Sequence, residues 1–175
     1  MGTDYRDEVA GKRRGILEWL MKYIPGYRGY AEKETRRGAD KLLRTELARR
    51  LKKGRDKLEE VRDRLAQAAA LDQLDDVDRV SLLFENVVDR LGFASYGYAG
   101  FFDAQRVDEE ALDRMYDYDQ GLAGAVDGVN AKADALAQAA AANADIIPPL
   151  TDLKNELKAF EQKLDDRQNA ILGVA

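Results

Sequence analysis

The chain has 175 residues, a formal net charge of −5, no cysteine and no histidine. This length suits one domain that buries its own core, and the two missing residue types exclude disulfides, thiolate or imidazole zinc sites and histidine catalysis. We therefore predict no catalytic site, no cofactor and no metal. A content of 35% charged residues with only three prolines is typical of long, exposed helices.

The first predicted element is an amphipathic helix within residues 1–29, a unit that ends in a Pro/Gly/Tyr connector. If residues 6–24 are helical, apolar side chains share one face and basic side chains mark the other, as in helices that lie on a membrane surface. Trp19 suits the headgroup level of a bilayer. We predict contact with a partner or a membrane through Arg13, Arg14, Ile16, Leu17, Trp19, Leu20, Met21, Lys22, Tyr23 and Ile24.

Four further helices are predicted from apolar residues that recur at alternating spacings of three and four, which keeps one stripe of a helix facing a neighbour. The predicted ranges are 31–69, 73–95, 108–144 and 149–171. No alternation of period two is long enough to predict a sheet. Short connections between helices favour antiparallel neighbours.

The predicted fold is all-α. Residues 30–175 are expected to form a single-domain, elongated, antiparallel up-down bundle of four long helices with coiled-coil-like packing, and residues 1–29 supply the additional amphipathic helix. The glycine- and aromatic-rich connectors "GYRGY" and "SYGYAGFF" are expected to seal one end of the apolar stripes. The N-terminal helix could equally pack over that end, so docking on the bundle is the alternative to an external contact.

Two features of the third long helix break the pattern. Asp119 falls on the apolar stripe, so we expect its carboxylate to find a cation or a tyrosine hydroxyl. The segment "DQGLAGAVDG", residues 119–128, contains three glycines, each of which costs about 1 kcal/mol in a helix relative to alanine. A kink or a close helix crossing is predicted there.

Charge is divided along the chain. Residues 1–65 contain 19 Lys or Arg and 12 Asp or Glu, a balance of +7, and residues 66–175 contain 9 and 21, a balance of −12. The basic run "RRLKKGRDK", residues 49–57, has no interleaved aromatic residues to stack on bases, and the pI is about 5.0, so we predict no nucleic-acid binding. Acidic clusters at predicted helix starts complement the helix dipole and need no metal ion.

The predicted function is therefore that of a non-enzymatic interaction or scaffold protein, which engages a protein partner or self-associates through its N-terminal basic-aromatic helix. An amphipathic first helix followed by a long charged helical hairpin is similar in layout to the phage-shock-protein A group of membrane-remodelling proteins. This resemblance implies the alternative, a peripheral module on an anionic membrane surface. No stretch is apolar enough to span a bilayer, and the expected location is the cytoplasm or the inner face of the membrane.

Overall fold

The computed structural model describes residue 18 and residues 21–24, 36–93 and 109–172. Within these ranges the regular secondary structure is helical and contains no strand, which confirms the all-α prediction. The long helices are α1, Arg36–Gln67; α2, Leu71–Phe93; α3, Glu109–Ala141; and α4, Ile147–Leu172. In the same ranges, no helix combines the length and the apolar character that crossing a membrane requires.

The turns that follow α1 and α3 explain where these helices end. Ala69 and Asn143 adopt left-handed backbone angles, with φ of 55° and 52°. The following amides reach back to the last helical turn, from Ala70 N to Leu65 O at 3.0 Å and from Ala144 N to Ala139 O at 2.9 Å. This capping pattern satisfies carbonyls that the helix leaves open and stops it. The prediction that the third helix continues to residue 144 was therefore too long by three residues.

The start of α4 lies two residues before the predicted position. The Oδ1 atom of Asp145 accepts a hydrogen bond from the Ile147 amide at 3.0 Å. Pro148 and Pro149 then occupy the first helical turn, where proline is tolerated because these amides have no partner inside the helix.

The core is built from one apolar stripe of each helix. The principal contacts join α1 with α2, α3 with α4, α1 with α3, and α2 with α4. Phe84 and Phe160 are the largest fully buried side chains. The predicted spacing of three and four is confirmed in each helix wherever side chains are described. In α1 the buried series ends at Leu65, and the next position of the predicted series, Ala68, is exposed beyond the end of the helix. Ion pairs flank the stripes: Arg62 Nε lies 2.7 Å from Asp78 Oδ1, and Lys132 Nζ lies 2.9 Å from Asp152 Oδ2.

Side chains of α2 and α3 lie directly against the backbone of α1 at Gly54. A Cβ atom added there would lie 2.6 Å from Asn130 Oδ1 and 3.0 Å from Phe84 Cζ. Neither neighbour can move away easily, because Asn130 Nδ2 donates to the Arg50 carbonyl at 3.1 Å and Phe84 is fully buried. The absence of a side chain at position 54 is what lets α2 and α3 approach α1 at this level.

The glycines of α3 have a different environment. The helix runs through residues 119–128 as one element, and Gly121 and Gly124 have open space where a Cβ atom would lie. A Cβ atom at Gly128 would lie 2.8 Å from Glu156 Oε1, the end of a flexible side chain. The sequence pattern predicted a kink or a close crossing at the glycines of α3, whereas Gly54 of α1 is the described glycine that lies against a fully buried side chain.

Alanine substitutions at Gly54 and Gly124 are expected to change stability in opposite directions. In Gly124→Ala the helix gains the preference for alanine, about 0.5–1 kcal/mol, with no clash. In Gly54→Ala overpacking against Asn130 and Phe84 exceeds that gain, and we expect a net loss of about 1 kcal/mol. Urea denaturation followed by circular dichroism measures both values. A stabilised Gly54→Ala variant would show that the helices separate easily here.

Candidate interaction site

The structure describes four of the ten residues predicted to contact a partner or membrane. Ile24 is 1% exposed and belongs to the hydrophobic core, Met21 and Tyr23 are half-buried against that core, and Lys22 is exposed. We call residues 21–24 the anchor. The other six, Arg13, Arg14, Ile16, Leu17, Trp19 and Leu20, lie outside the described residues, so their role stays a prediction.

Arg50 of α1 binds the anchor in two ways. Its guanidinium carbon lies 3.5 Å from the centroid of the Tyr23 ring, the geometry of a cation–π contact. Its Nη2 atom also donates a hydrogen bond to the Tyr23 backbone carbonyl at 2.5 Å. One side chain therefore holds both the ring and the main chain of the anchor.

The Tyr23 hydroxyl extends the contact to α3. It lies 3.3 Å from the Ala123 carbonyl oxygen and 3.3 Å from Asp127 Oδ1, so its single proton is shared between two acceptors. Burial of the ring raises the pKa of Tyr23 above its ordinary value of 10.0; the Asp127 carboxylate also raises this pKa, whereas Arg50 lowers it. At neutral pH the hydroxyl is therefore protonated and can donate, and the anchor bridges α1 and α3.

Glu46 orients the arginine that holds the anchor. Its carboxylate accepts from Arg50 Nε at 2.8 Å and from two nitrogens of Arg49, Nη2 at 2.7 Å and Nε at 2.8 Å. The hydrogen bonds from Arg49, followed by those from Arg50, lower the pKa of Glu46 to about 2 despite the opposing effect of burial. A spacing of four residues allows Glu46 and Arg50 to pair on one helix, but nothing in the sequence indicates the connection of this pair to Tyr23.

A second polar cluster joins α3 to α4. Asp119 of α3 accepts a hydrogen bond from Arg167 Nε of α4 at 2.7 Å, and the two side chains are 4% and 3% exposed. This pairing confirms the expectation that the carboxylate on the apolar stripe finds a cation. Arg44, Arg90 and Arg167 line an adjacent cavity of about 30 Å³ together with Leu122 and Leu164.

An open groove of about 390 Å³ lies between α3 and α4. Asp117, Tyr118 and Gly121 line it from α3, and Lys163 and Asp166 from α4. Its lining combines both signs of charge with one phenol. Among the residues the structure describes, no group of three or more Asp or Glu side chains is placed to hold a metal ion. The groove offers a mixed polar surface without a recognisable catalytic constellation.

The basic run at residues 49–57 divides into inward and outward groups. Arg50 turns toward the anchor, and Arg55 and Lys57 make local ion pairs with Asp56 and Glu60. Lys52 and Lys53 are exposed, and no partner for either is found among the described residues. The sequence marked the run as basic, whereas only the fold shows which of its charges remain available at the surface.

Weakening the anchor contacts is expected to expose its amides. Arg50→Ala removes both the ring contact and the hydrogen bond to the Tyr23 carbonyl. Tyr23→Phe keeps the ring and the carbonyl and removes the hydroxyl with its 3.3 Å contacts to Ala123 and Asp127, a loss of about 1 kcal/mol or less. Hydrogen exchange at residues 21–24, measured by mass spectrometry, should therefore accelerate most in Arg50→Ala. Lys53→Ala, one turn further along α1, is the control and should leave exchange unchanged. Equal protection in all variants would mean that Arg50 does not hold the anchor.

The Glu46 ion pairs predict a defined pH dependence. Because the pKa of Glu46 is about 2 in the folded chain and its ordinary value is 4.5, its stabilisation is complete above about pH 5 and is lost as the pH falls toward 2. Glu46→Gln should lower the free energy of unfolding by about 1–2 kcal/mol at neutral pH, with the difference from wild type vanishing near pH 2. Urea titrations across this range measure it.

Glu60→Gln is the matched control for this pH series. Glu60 is exposed and contacts only Lys57 among its described neighbours, so this substitution should change stability by less than about 0.5 kcal/mol at any pH. A Glu46→Gln variant that behaves like Glu60→Gln would contradict the assigned role of the two arginines.

Comparison with known proteins gives no further information about this site. Neither the scan of protein-family models nor the searches of curated proteins and solved structures found a match to the chain. Function is therefore inferred from the residues and contacts of this molecule.

Proposed function

We propose that the chain is a non-enzymatic helical-bundle interaction or scaffold protein that self-associates, or engages a protein partner, through its N-terminal basic-aromatic segment. The observation that carries this proposal is the anchor: Tyr23 and Ile24 fix the end of that segment to α1 and α3. Fixing one end lowers the entropy lost when the preceding residues bind, which favours a defined contact.

The chemistry of the chain supports binding rather than catalysis. The sequence has no histidine or cysteine to serve as an acid, base or thiolate nucleophile. Its one described buried aspartate, Asp119, is engaged by Arg167, and Glu46, whose pKa is lowered to about 2, is held between Arg49 and Arg50. Both therefore have evident structural roles.

We also propose an up-down order in which each long helix runs opposite to the next. In support, positions rise along α1 as they fall along α2, from Gly54 near Phe84 to Arg62 near Asp78. The pairs Asp119–Arg167 and Lys132–Asp152 show the same trend for α3 and α4. Arg44 of α1 and Leu122 of α3 line the same cavity, and Arg50 accepts a hydrogen bond from Asn130, so residue numbers rise together along the two helices. These two neighbours would therefore run in the same direction.

Self-association gives the direct test. Sedimentation velocity of the full chain from about 1 to about 100 micromolar should show reversible, concentration-dependent assembly. Trp19→Glu, which places a charge in the aromatic segment, should abolish assembly, and Glu18→Gln, at an exposed neighbouring position, should preserve it. A wild-type chain that stays monomeric throughout, or a Trp19→Glu variant that assembles normally, would overturn self-association.

The second candidate function is peripheral binding to an anionic membrane through the same segment. A specific observation favours it: Lys22 of the anchor and several lysines of α1 are exposed, and no partner for them is found among the described residues. Basic side chains near an anionic bilayer contribute about 1 kcal/mol each.

A further inference from the structure

We propose that residues 41–53 of α1 carry a contact surface for an anionic lipid bilayer. The surface consists of Lys41, Lys52 and Lys53 of α1 and Lys22 of the anchor, and we call it the lysine face. The proposal rests on the membrane form of the proposed function and adds a second contact to it. In this arrangement the N-terminal segment enters the bilayer surface while α1 lies along the headgroups.

Helical geometry places the three lysines of α1 on one outward side. At about 100° per residue they fall within an arc of about 120°, opposite the buried positions Leu47, Leu51 and Leu58. They span about 18 Å along the axis, a length that a planar surface can contact at once. Lys53 lies one helical turn beyond Arg50, which binds the anchor, so the anchor meets α1 beside this face.

The exposed carboxylate of Asp56 lies one turn beyond Lys52 and Lys53 and pairs with Arg55, whereas the part of the lysine face between positions 41 and 53 is little neutralised. Lys22, Lys41, Lys52 and Lys53 make no ion pair with the side chains that the structure describes. Between positions 41 and 53 the exposed residues include no Asp or Glu, because the one acidic residue there, Glu46, is buried beneath two arginines. Arg49, whose side chain is 57% exposed, adds part of its charge at the centre of this region.

The opposite sign of charge elsewhere would orient the molecule. The exposed positions of α2 include Asp72, Asp75, Glu85 and Asp89. An anionic surface repels that helix and attracts the lysine face, so one approach is favoured over others. The division of charge between the two parts of the sequence thus gives the folded chain a preferred orientation at an anionic surface.

A bilayer fits this surface better than nucleic acid or an acidic protein. The lysines are mobile single charges, and the described outward side of α1 between positions 41 and 53 presents no aromatic ring on which a base could stack. The N-terminal sequence adds Ile16, Leu17 and Trp19, which suit insertion at the interface between headgroups and acyl chains. Apolar insertion beside a cationic helix is the combination that stable peripheral binding needs.

Co-sedimentation of the full chain with vesicles tests the proposal. Vesicles containing phosphatidylglycerol should pellet the wild-type protein, vesicles of phosphatidylcholine alone should not, and added salt should weaken binding by shortening the screening length. The variant Lys52→Glu/Lys53→Glu should bind at least about tenfold more weakly. The control Lys154→Glu/Lys158→Glu makes the same change in net charge at exposed positions of α4 and should bind like wild type. Circular dichroism checks that both variants fold.

The outcomes separate the lysine face from the membrane function itself. If Trp19→Glu abolishes vesicle binding while Lys52→Glu/Lys53→Glu retains it, the lysine face is wrong and the N-terminal contact stands alone. If both double variants lose binding equally, the effect is one of net charge and the lysine face is also wrong. If wild type fails to bind these vesicles, or instead binds duplex DNA with the same variant sensitivity, both the lysine face and the membrane function are overturned.

Discussion

Burial of one apolar stripe from each long helix is the interaction on which the rest of this structure depends. At about 25 cal/mol per Å² of apolar surface removed from water, residues such as Phe84, Phe160 and the buried leucines supply the main favourable term. The pairs Arg62–Asp78 and Lys132–Asp152 lie at the margins of the stripes, where water screens them and limits their contribution, whereas Asp119–Arg167 is buried within the bundle.

The anchor shows how a short apolar segment is held beside such a core. Ile24 supplies buried surface, while Arg50 holds the neighbouring Tyr23 by its ring and its backbone carbonyl. Asn130 donates to the carbonyl of the same arginine from α3. The attachment of the N-terminal segment uses the side chain of Arg50, and the contact with α3 uses its backbone carbonyl, so the two contacts meet at one residue.

The sequence was sufficient to predict the helices and their buried faces, since a repeat of three and four leaves few alternatives to a helix with one apolar stripe. It was less informative about ends, because the left-handed conformation of Asn143 depends on local capping rather than on periodicity. The contacts of the anchor could not be predicted from the sequence for another reason. An amphipathic pattern shows that Ile24 and Tyr23 seek apolar cover, but the partners that cover them are about 100 residues distant in α3. The enclosed environment of Gly54 likewise arises only when three helices meet.

The pairing of Asp119 with Arg167 has a consequence for how this sequence can change over time. Each charge is stabilised inside the protein by the other, so losing either one alone removes a compensating charge from a buried ion. Replacing both with apolar residues of similar volume avoids that cost. Related chains should therefore alter these two positions jointly, and single replacements at either should be rare among them.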